Sequence, residues 1–270
     1  LTQLMIGSEG TLGIITKIVF KLIPLPTKDI SMLAPFSSAE KACEAVSAVF
    51  RAGITPSALE FIERDAIDWT IKYTDVEIQI LEDVQAHLLV EVDGNDIDLL
   101  YKDCEKIAEV MEQFDCGEIL LADSESQKEQ LWKLRRSVGE AVKANSVYKE
   151  EDTVVPRAEL AKLLIGVKEI GAKYGFKSVC YGHAGDGNLH VNIIKGEMSD
   201  SDWNNKLTFG IREIFELTKN LGGTISGEHG IGLVQKEYLG IVLSDKNIEL
   251  QKGIKKLFDP NQILNPGKIF

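Results

Sequence analysis

The stretch Tyr181-Gly182-His183-Ala184-Gly185-Asp186-Gly187-Asn188-Leu189-His190-Val191-Asn192 decides how this chain is read. Two β-prone runs, Lys177 to Tyr181 and Leu189 to Ile194, flank a polar, glycine-rich turn. Asp-Gly is a strong two-residue hairpin signal, because a type I′ turn needs φ > 0 at both central positions. Counting outward from Asp186-Gly187 sets Gly185 opposite Asn188, Ala184 opposite Leu189 and His183 opposite His190. Directly opposed residues share one face of a sheet, with Cβ atoms about 4.5–5.5 Å apart. Asn192 lies on the same face, one pleat on. The turn therefore predicts two convergent imidazoles, which is half of a metal site. A second polar stretch, Ser226-Gly227-Glu228-His229-Gly230, is able to supply the rest.

His183, His190 and Glu228 make a His₂Glu set, a three-ligand arrangement for zinc that leaves a position open. Iron or manganese would accept the same donors. Side chains of adjacent residues diverge, so His229 is left free to act as a general base near a metal-bound alcohol. A lone histidine in a strand is more often a packed core residue. Here, however, three of the four histidines fall in two glycine-rich polar stretches. His87 sits in an apolar strand without such company and reads as structural. The same ligand set would also serve a metal-dependent hydrolase by activating a water. A third alternative is an inert binding domain.

The chain has 270 residues, 44% of them hydrophobic, and a formal net charge of −12. That length suits one large domain or two small ones. The acidic balance argues against nucleic acid, whose binding rests on cations that neutralise phosphates. An anionic substrate would need a local cationic pocket. Apolar runs such as Ile78 to Leu81 and His87 to Val90 are far too short to span a bilayer. The expected location is therefore cytoplasmic, or peripheral at a membrane. Cys43, Cys104, Cys116 and Cys180 are scattered without a CxxC pair, which implies a reducing compartment rather than a disulfide scaffold. With Leu rather than Met as its first residue, the chain is expected to be a fragment or a processed piece.

Along the chain, Gly7-Ser8-Glu9-Gly10-Thr11-Leu12-Gly13 is a glycine-rich turn. It either brings backbone N–H groups close to an anion or simply precedes a strand. Ile14 to Leu22 is β-branched and reads as that strand, closed by Pro24 and Pro26. Strands are expected at 31–36, 58–62, 87–92, 118–122 and 151–155. Helices are expected at 38–51, 64–73, 96–114, 124–142, 158–174, 201–221 and 248–258. Ser124 and Gln127 form a capping box for the longest helix. This order predicts an α+β fold, a ferredoxin-like antiparallel or mixed sheet backed by helices. No internal repeat is visible. Arg135 is three residues after Trp132 and shares its side of the helix. The pair Arg135-Arg136 is either a solvated face or a fork for a substrate carboxylate.

Three motifs occur in one order: GHxGDGNLHxN from Gly182 to Asn192, GEHGxG from Gly227 to Gly232, and FDPxxxLNPGK from Phe258 to Lys268. With Leu4 to Thr16, they resemble FAD-linked oxidases of the vanillyl-alcohol-oxidase superfamily. The likeness is to the branch containing the glycolate oxidase flavoprotein subunit and D-lactate or D-2-hydroxyglutarate dehydrogenases. The resemblance implies that residues 1–26 end a flavin-binding domain. Residues 27–270 would then be the substrate (cap) domain, with a C-terminal tail that touches FAD. It implies His183, His190 and Glu228 as ligands of a divalent metal, zinc first, and His229 as the base. Arg135 and Asn192 would bind the substrate. Gly7, Ser8, Glu9, Gly10, Thr11, Gly13, Ile15 and Asn265 would meet FAD. The implied reaction is oxidation of a D-2-hydroxy acid to the 2-keto acid. Electron-transfer flavoprotein or an iron–sulfur subunit is compatible as partner, as is a homo-oligomer. Two departures stand out. Only the last segment of the flavin domain is present, so the piece alone is expected to be inactive. Glu150, with Lys149 next to it, stands where 2-hydroxyglutarate members carry a lysine, which favours a monocarboxylate such as lactate or glycolate.

Overall fold

The computed structural model describes residues 1–270. Its strands are β1 (Lys28–Phe36), β2 (Ala58–Glu63), β3 (Ala86–Gly94), β4 (Leu120–Leu121), β5 (Tyr148–Val154), β6 (Lys177–Gly182) and β7 (Asn188–Ile194). They form one sheet in the order β4-β1-β3-β2-β6-β7-β5, and every neighbouring pair is antiparallel. The helices are α1 (Thr2–Met5), α2 (Ala39–Arg51), α3 (Arg64–Tyr73), α4 (Ile97–Glu112), α5 (Glu125–Asn145), α6 (Leu160–Tyr174), α7 (Asp200–Asn220), α8 (Leu239–Val242) and α9 (Asp245–Phe258).

Local chemistry sets the helix ends. The hydroxyls of Ser38, Ser124, Ser199 and Ser244 each accept the N–H three residues on, at the starts of α2, α5, α7 and α9. Gly175 closes α6 in the left-handed conformation, φ 84°.

The strand order carries a symmetry that the residue pattern hides. From β1 to β4 the path is strand, helix, strand, strand, helix, strand, with order β4-β1-β3-β2; α3 is an insertion in it. From β5 onward the same path repeats as β5-α6-β6-β7-α7, and its fourth strand is reduced to one bridge between Val154 and Thr224. Two ferredoxin-like units thus meet back to back at β2 and β6. The repeat is one of chain path and shares no residue motif, which is why the sequence shows none.

Alternation along the strands separates two faces. Leu189, Val191 and Ile193 of β7 join the larger core with residues of α2, α4, α6 and α7. The opposite face packs Ile62, Val179, Tyr181 and Ile194 beneath Ala66 and Ile67 of α3 and Leu134, Val138 and Val142 of α5. On that second face β7 and β5 carry polar residues: His190 pairs with Asp152 and Asn192 with Glu150.

The structure corrects three expectations. Ile14 to Leu22 forms no strand, and Val19 and Phe20 are 87% and 75% exposed. Propensity marks residues that suit a half-buried pleat, but a strand also needs a partner, and none in this sheet pairs with them. The strand at 118–122 shrinks to Leu120–Leu121. The central turn is not a two-residue type I′ turn. Ala184–Asp186 is a 3₁₀ turn, and only Gly187 has positive φ, at 76°. The ladder accordingly sets Tyr181 opposite His190, and Asn188 donates to the His183 carbonyl at 3.2 Å. The register differs by two residues from the expected one. A shift of two preserves the face, so the histidines still converge. A Cβ on Gly187 would run into the Val155 carbonyl oxygen. With the cost of left-handed backbone added, Gly187→Ala should destabilise the protein by about 2–3 kcal/mol, read from chemical denaturation.

Candidate active site

His183 leaves the end of β6 and His190 lies within β7, their ring centroids 5.8 Å apart. The loop after α7 folds over them and brings Glu228. Its Oε1 is 3.6 Å from His183 Nε2 and 3.5 Å from His190 Nε2. A tetrahedron with arms of about 2.1 Å has edges of about 3.4 Å, so these donor separations fit one divalent ion. His190 is buried, and burial pushes its pKa down to about 4 against the pull of Asp152. The neutral imidazole is the form that ligates metal. His190 Nδ1 and both side-chain polar atoms of Asn192 are buried with no hydrogen-bond partner, which marks a place built for a polar occupant.

His229 stacks on His190, with ring centroids 5.1 Å apart and planes 18° apart. Its side chain stays outside the trio with Glu228 and forms a second cluster with His190 and Glu150. Glu150 accepts from the Tyr181 hydroxyl at 3.3 Å and lies 3.7 Å from His190 Nδ1.

One residue that sequence reasoning missed holds the loop. Asp152 Oδ2 accepts the backbone N–H groups of Gly227, Glu228 and His229 at 2.8, 2.7 and 2.9 Å. Its Oδ1 takes the Asn188 amide at 2.6 Å. Burial would raise this carboxyl, but those donors outweigh it and hold the group below the usual carboxylate range. A Cβ on Gly227 would strike the Asn188 amide and Val154, so the loop needs glycine there. Two further anchors follow: Glu9 accepts from Ile231 N and Gly232 N at 2.7 Å each, and Glu151 from Gln235 at 2.9 Å. Nothing in the motif spacing signals Asp152. The strand's run of acidic residues, Glu150-Glu151-Asp152, was the available hint.

Arg135 is brought to the site, but not with Trp132. Its guanidinium is 5.2 Å from the Tyr181 ring centroid, and it is Arg136 that reaches over Trp132, at 5.9 Å. Trp132 instead donates to Glu91 at 2.8 Å. Arg135 is buried against Glu60, the second missed residue: Nε donates to Oε2 at 2.8 Å. His183 Nδ1 is 2.9 Å from the other Glu60 oxygen. Burial would raise the Glu60 carboxyl, but His183 and Arg135 together hold it low. His87 is a buried histidine elsewhere on the sheet, outside both clusters.

The glycine-rich turn at 7–13 and the C-terminal tail meet. Asn265 Nδ2 donates to the Glu9 carbonyl at 2.5 Å. Gly7, Ser8, Glu9, Gly10, Gly13, Ile15 and Asn265 share an open groove of about 820 Å³. Thr11 turns away from it: its side chain is buried and its hydroxyl donates to the Ser8 carbonyl. Because Glu9 also caps the loop after His229, the groove and the histidine cluster are neighbours.

No helix is long and apolar enough to cross a membrane. All four cysteines are free.

The family of FAD-linked oxidases, C-terminal domain, matches residues 25–269. The chain is 36% identical to a D-lactate dehydrogenase of Anaerostipes hadrus, over 100% of this chain and 58% of that protein. It is 36% identical to the glycolate oxidase subunit GlcD of Bacillus subtilis, over 100% of this chain and 57% of that one. It therefore spans little more than half the length of these relatives. The crystal structure of p-cresol methylhydroxylase with substrate bound superposes with a TM-score of 0.62 at 15% identity, over 93% of this chain and 54% of that one, a likeness of fold. The antiparallel sheet, the matched span and the relatives agree: this chain belongs to the FAD-linked oxidases and represents their C-terminal domain.

Proposed function

We propose that the full-length protein oxidises a D-2-hydroxy acid of the lactate or glycolate class to its 2-keto acid, with FAD and one divalent metal, zinc first. The observation that carries this is the convergence of His183, His190 and Glu228 next to His229 and Arg135. The relatives named as D-lactate dehydrogenase and glycolate oxidase subunit support the substrate class.

In this reading the trio would hold the cation, which would supply Lewis acidity at the substrate hydroxyl. FAD would be held by Gly7, Ser8, Glu9, Gly10, Gly13, Ile15 and Asn265 and would supply the redox chemistry. His229 takes the hydroxyl proton. Arg135, held against Glu60, receives the carboxylate, and Asn192, whose buried amide has no hydrogen-bond partner, turns it to the same ligand. Glu150 puts a negative charge on the same face, so a second carboxylate there would meet repulsion, and a monocarboxylate fits better. Residues 1–26 end the flavin domain, and residues 27–270 are the substrate domain. An electron-transfer flavoprotein or an iron–sulfur subunit would accept the electrons. Membership among flavin-linked oxidases leaves the hydrolase alternative without support of its own.

The test is to purify the protein with its flavin domain and screen D- and L-2-hydroxy acids with an artificial electron acceptor. Turnover of D-lactate or glycolate well above L-acids and dicarboxylates is expected, with about one metal equivalent per chain, lost in His190→Ala. A colourless protein, or one equally active on both enantiomers, refutes the proposal.

A further inference from the structure

Glu60 lies in a strand with no motif, Ala58-Leu59-Glu60-Phe61-Ile62. Its side chain is 8% exposed. Leu59 and Phe61 enter the larger core, and alternation turns Glu60 to the face of Ile62, where α5 packs. A carboxylate in such a place is costly unless both oxygens are matched. Both are. Oε1 meets His183 Nδ1 at 2.9 Å, while Oε2 meets Arg135 Nε at 2.8 Å and Nη2 at 2.8 Å.

An ionised carboxylate only accepts hydrogen bonds, so His183 must carry a proton on Nδ1. The Nε2 lone pair then faces Glu228 and His190. A carboxylate behind a metal-ligating histidine fixes the tautomer and ring orientation in just this way, and its loss costs about 10–100-fold in metal affinity. On its other side the same carboxylate fixes the Arg135 fork. We propose that Glu60 is a positioning residue that ties metal retention to recognition of the substrate carboxylate, by orienting His183 and Arg135 with one oxygen each. This deepens the preceding reading and rests on it.

Glu60→Gln separates the two roles. An amide has one accepting end and one donating end. Its oxygen goes to the permanently charged Arg135, and its NH₂ then faces His183. The ring must answer with a bare Nδ1, which moves the proton to Nε2 and removes the ligand lone pair. In the full-length protein, Glu60→Gln should therefore raise the dissociation constant for Zn²⁺ by about 10–100-fold in competition with a chromogenic chelator. At saturating Zn²⁺, kcat should fall less than metal affinity does. Glu60→Asp is one methylene too short to span both partners. It should raise either the Zn²⁺ dissociation constant or the KM for the hydroxy acid by about tenfold or more, and it decides the matter if the glutamine variant does not fold. A merely structural role would lower thermal stability while leaving both constants alone. Folded variants with both constants within twofold of the parent overturn the proposal. If the parent binds no stoichiometric Zn²⁺, or His190→Ala binds it equally well, the metal reading itself has failed. Zn²⁺ bound by the parent, lost in His190→Ala and unchanged in both Glu60 variants rejects the role of Glu60 alone.

Discussion

Asp152→Ala should release the loop that carries Glu228 and His229. Three backbone N–H groups converge on one oxygen of this carboxylate at 2.7–2.9 Å, and the other oxygen holds Asn188. Hydrogen bonds to a charged group contribute about 1.5–3 kcal/mol each, less whatever water returns once the loop opens. A net loss of about 3–4 kcal/mol is therefore expected. Hydrogen exchange in a peptide spanning residues 226–232 should quicken on the order of 10²–10³-fold, since about 1.4 kcal/mol is a factor of ten. Peptides from α2 and α6, on the other side of the sheet, should keep their protection. Asp152→Asn, which retains an acceptor without the charge, should lie between the two. Metal retention should fall with the loop, because Glu228 rides on it. Unchanged exchange at 226–232 would show that Glu9 and Glu151 hold the loop unaided.

His229→Ala should lower kcat of the full-length enzyme by about 10²–10⁴-fold, the usual contribution of a positioned proton acceptor. Bound metal should remain at the parent level. The separation follows from the geometry: the ring stacks on His190 without joining the trio that faces Glu228. Its backbone stays pinned by Asp152, so truncation at Cβ leaves the loop in place. A kcat within a few-fold of the parent would remove His229 from the proton transfer and turn attention to Glu150, which shares its cluster.

Much of the architecture follows from local pattern. Seryl caps, the left-handed Gly175 and apolar spacing are short-range features, and the expected helices match α2 to α7 and α9 within a few residues, while the four-residue α1 and α8 were not expected. The turn chemistry was misread: one positive φ, at Gly187, replaced the two that a type I′ hairpin needs. The direct pairing of the two histidines did not hold, but their convergence did, because the error was an even number of residues.

The residues alone marked the candidate groups: two histidines around a glycine-rich turn, an acid and a third histidine side by side in a second glycine-rich loop, and an arginine on a long helix that reads either as a solvated face or as a carboxylate fork. Those assignments depend on periodicity and on residue type, which are local. Only the tertiary structure decided what aims them. Asp152 reaches a loop 75–77 positions away, and Glu60 joins partners 75 and 123 positions away. No local pattern encodes such a contact, because a buried carboxylate reads in sequence as one more charge until the sheet shows which donors it must satisfy.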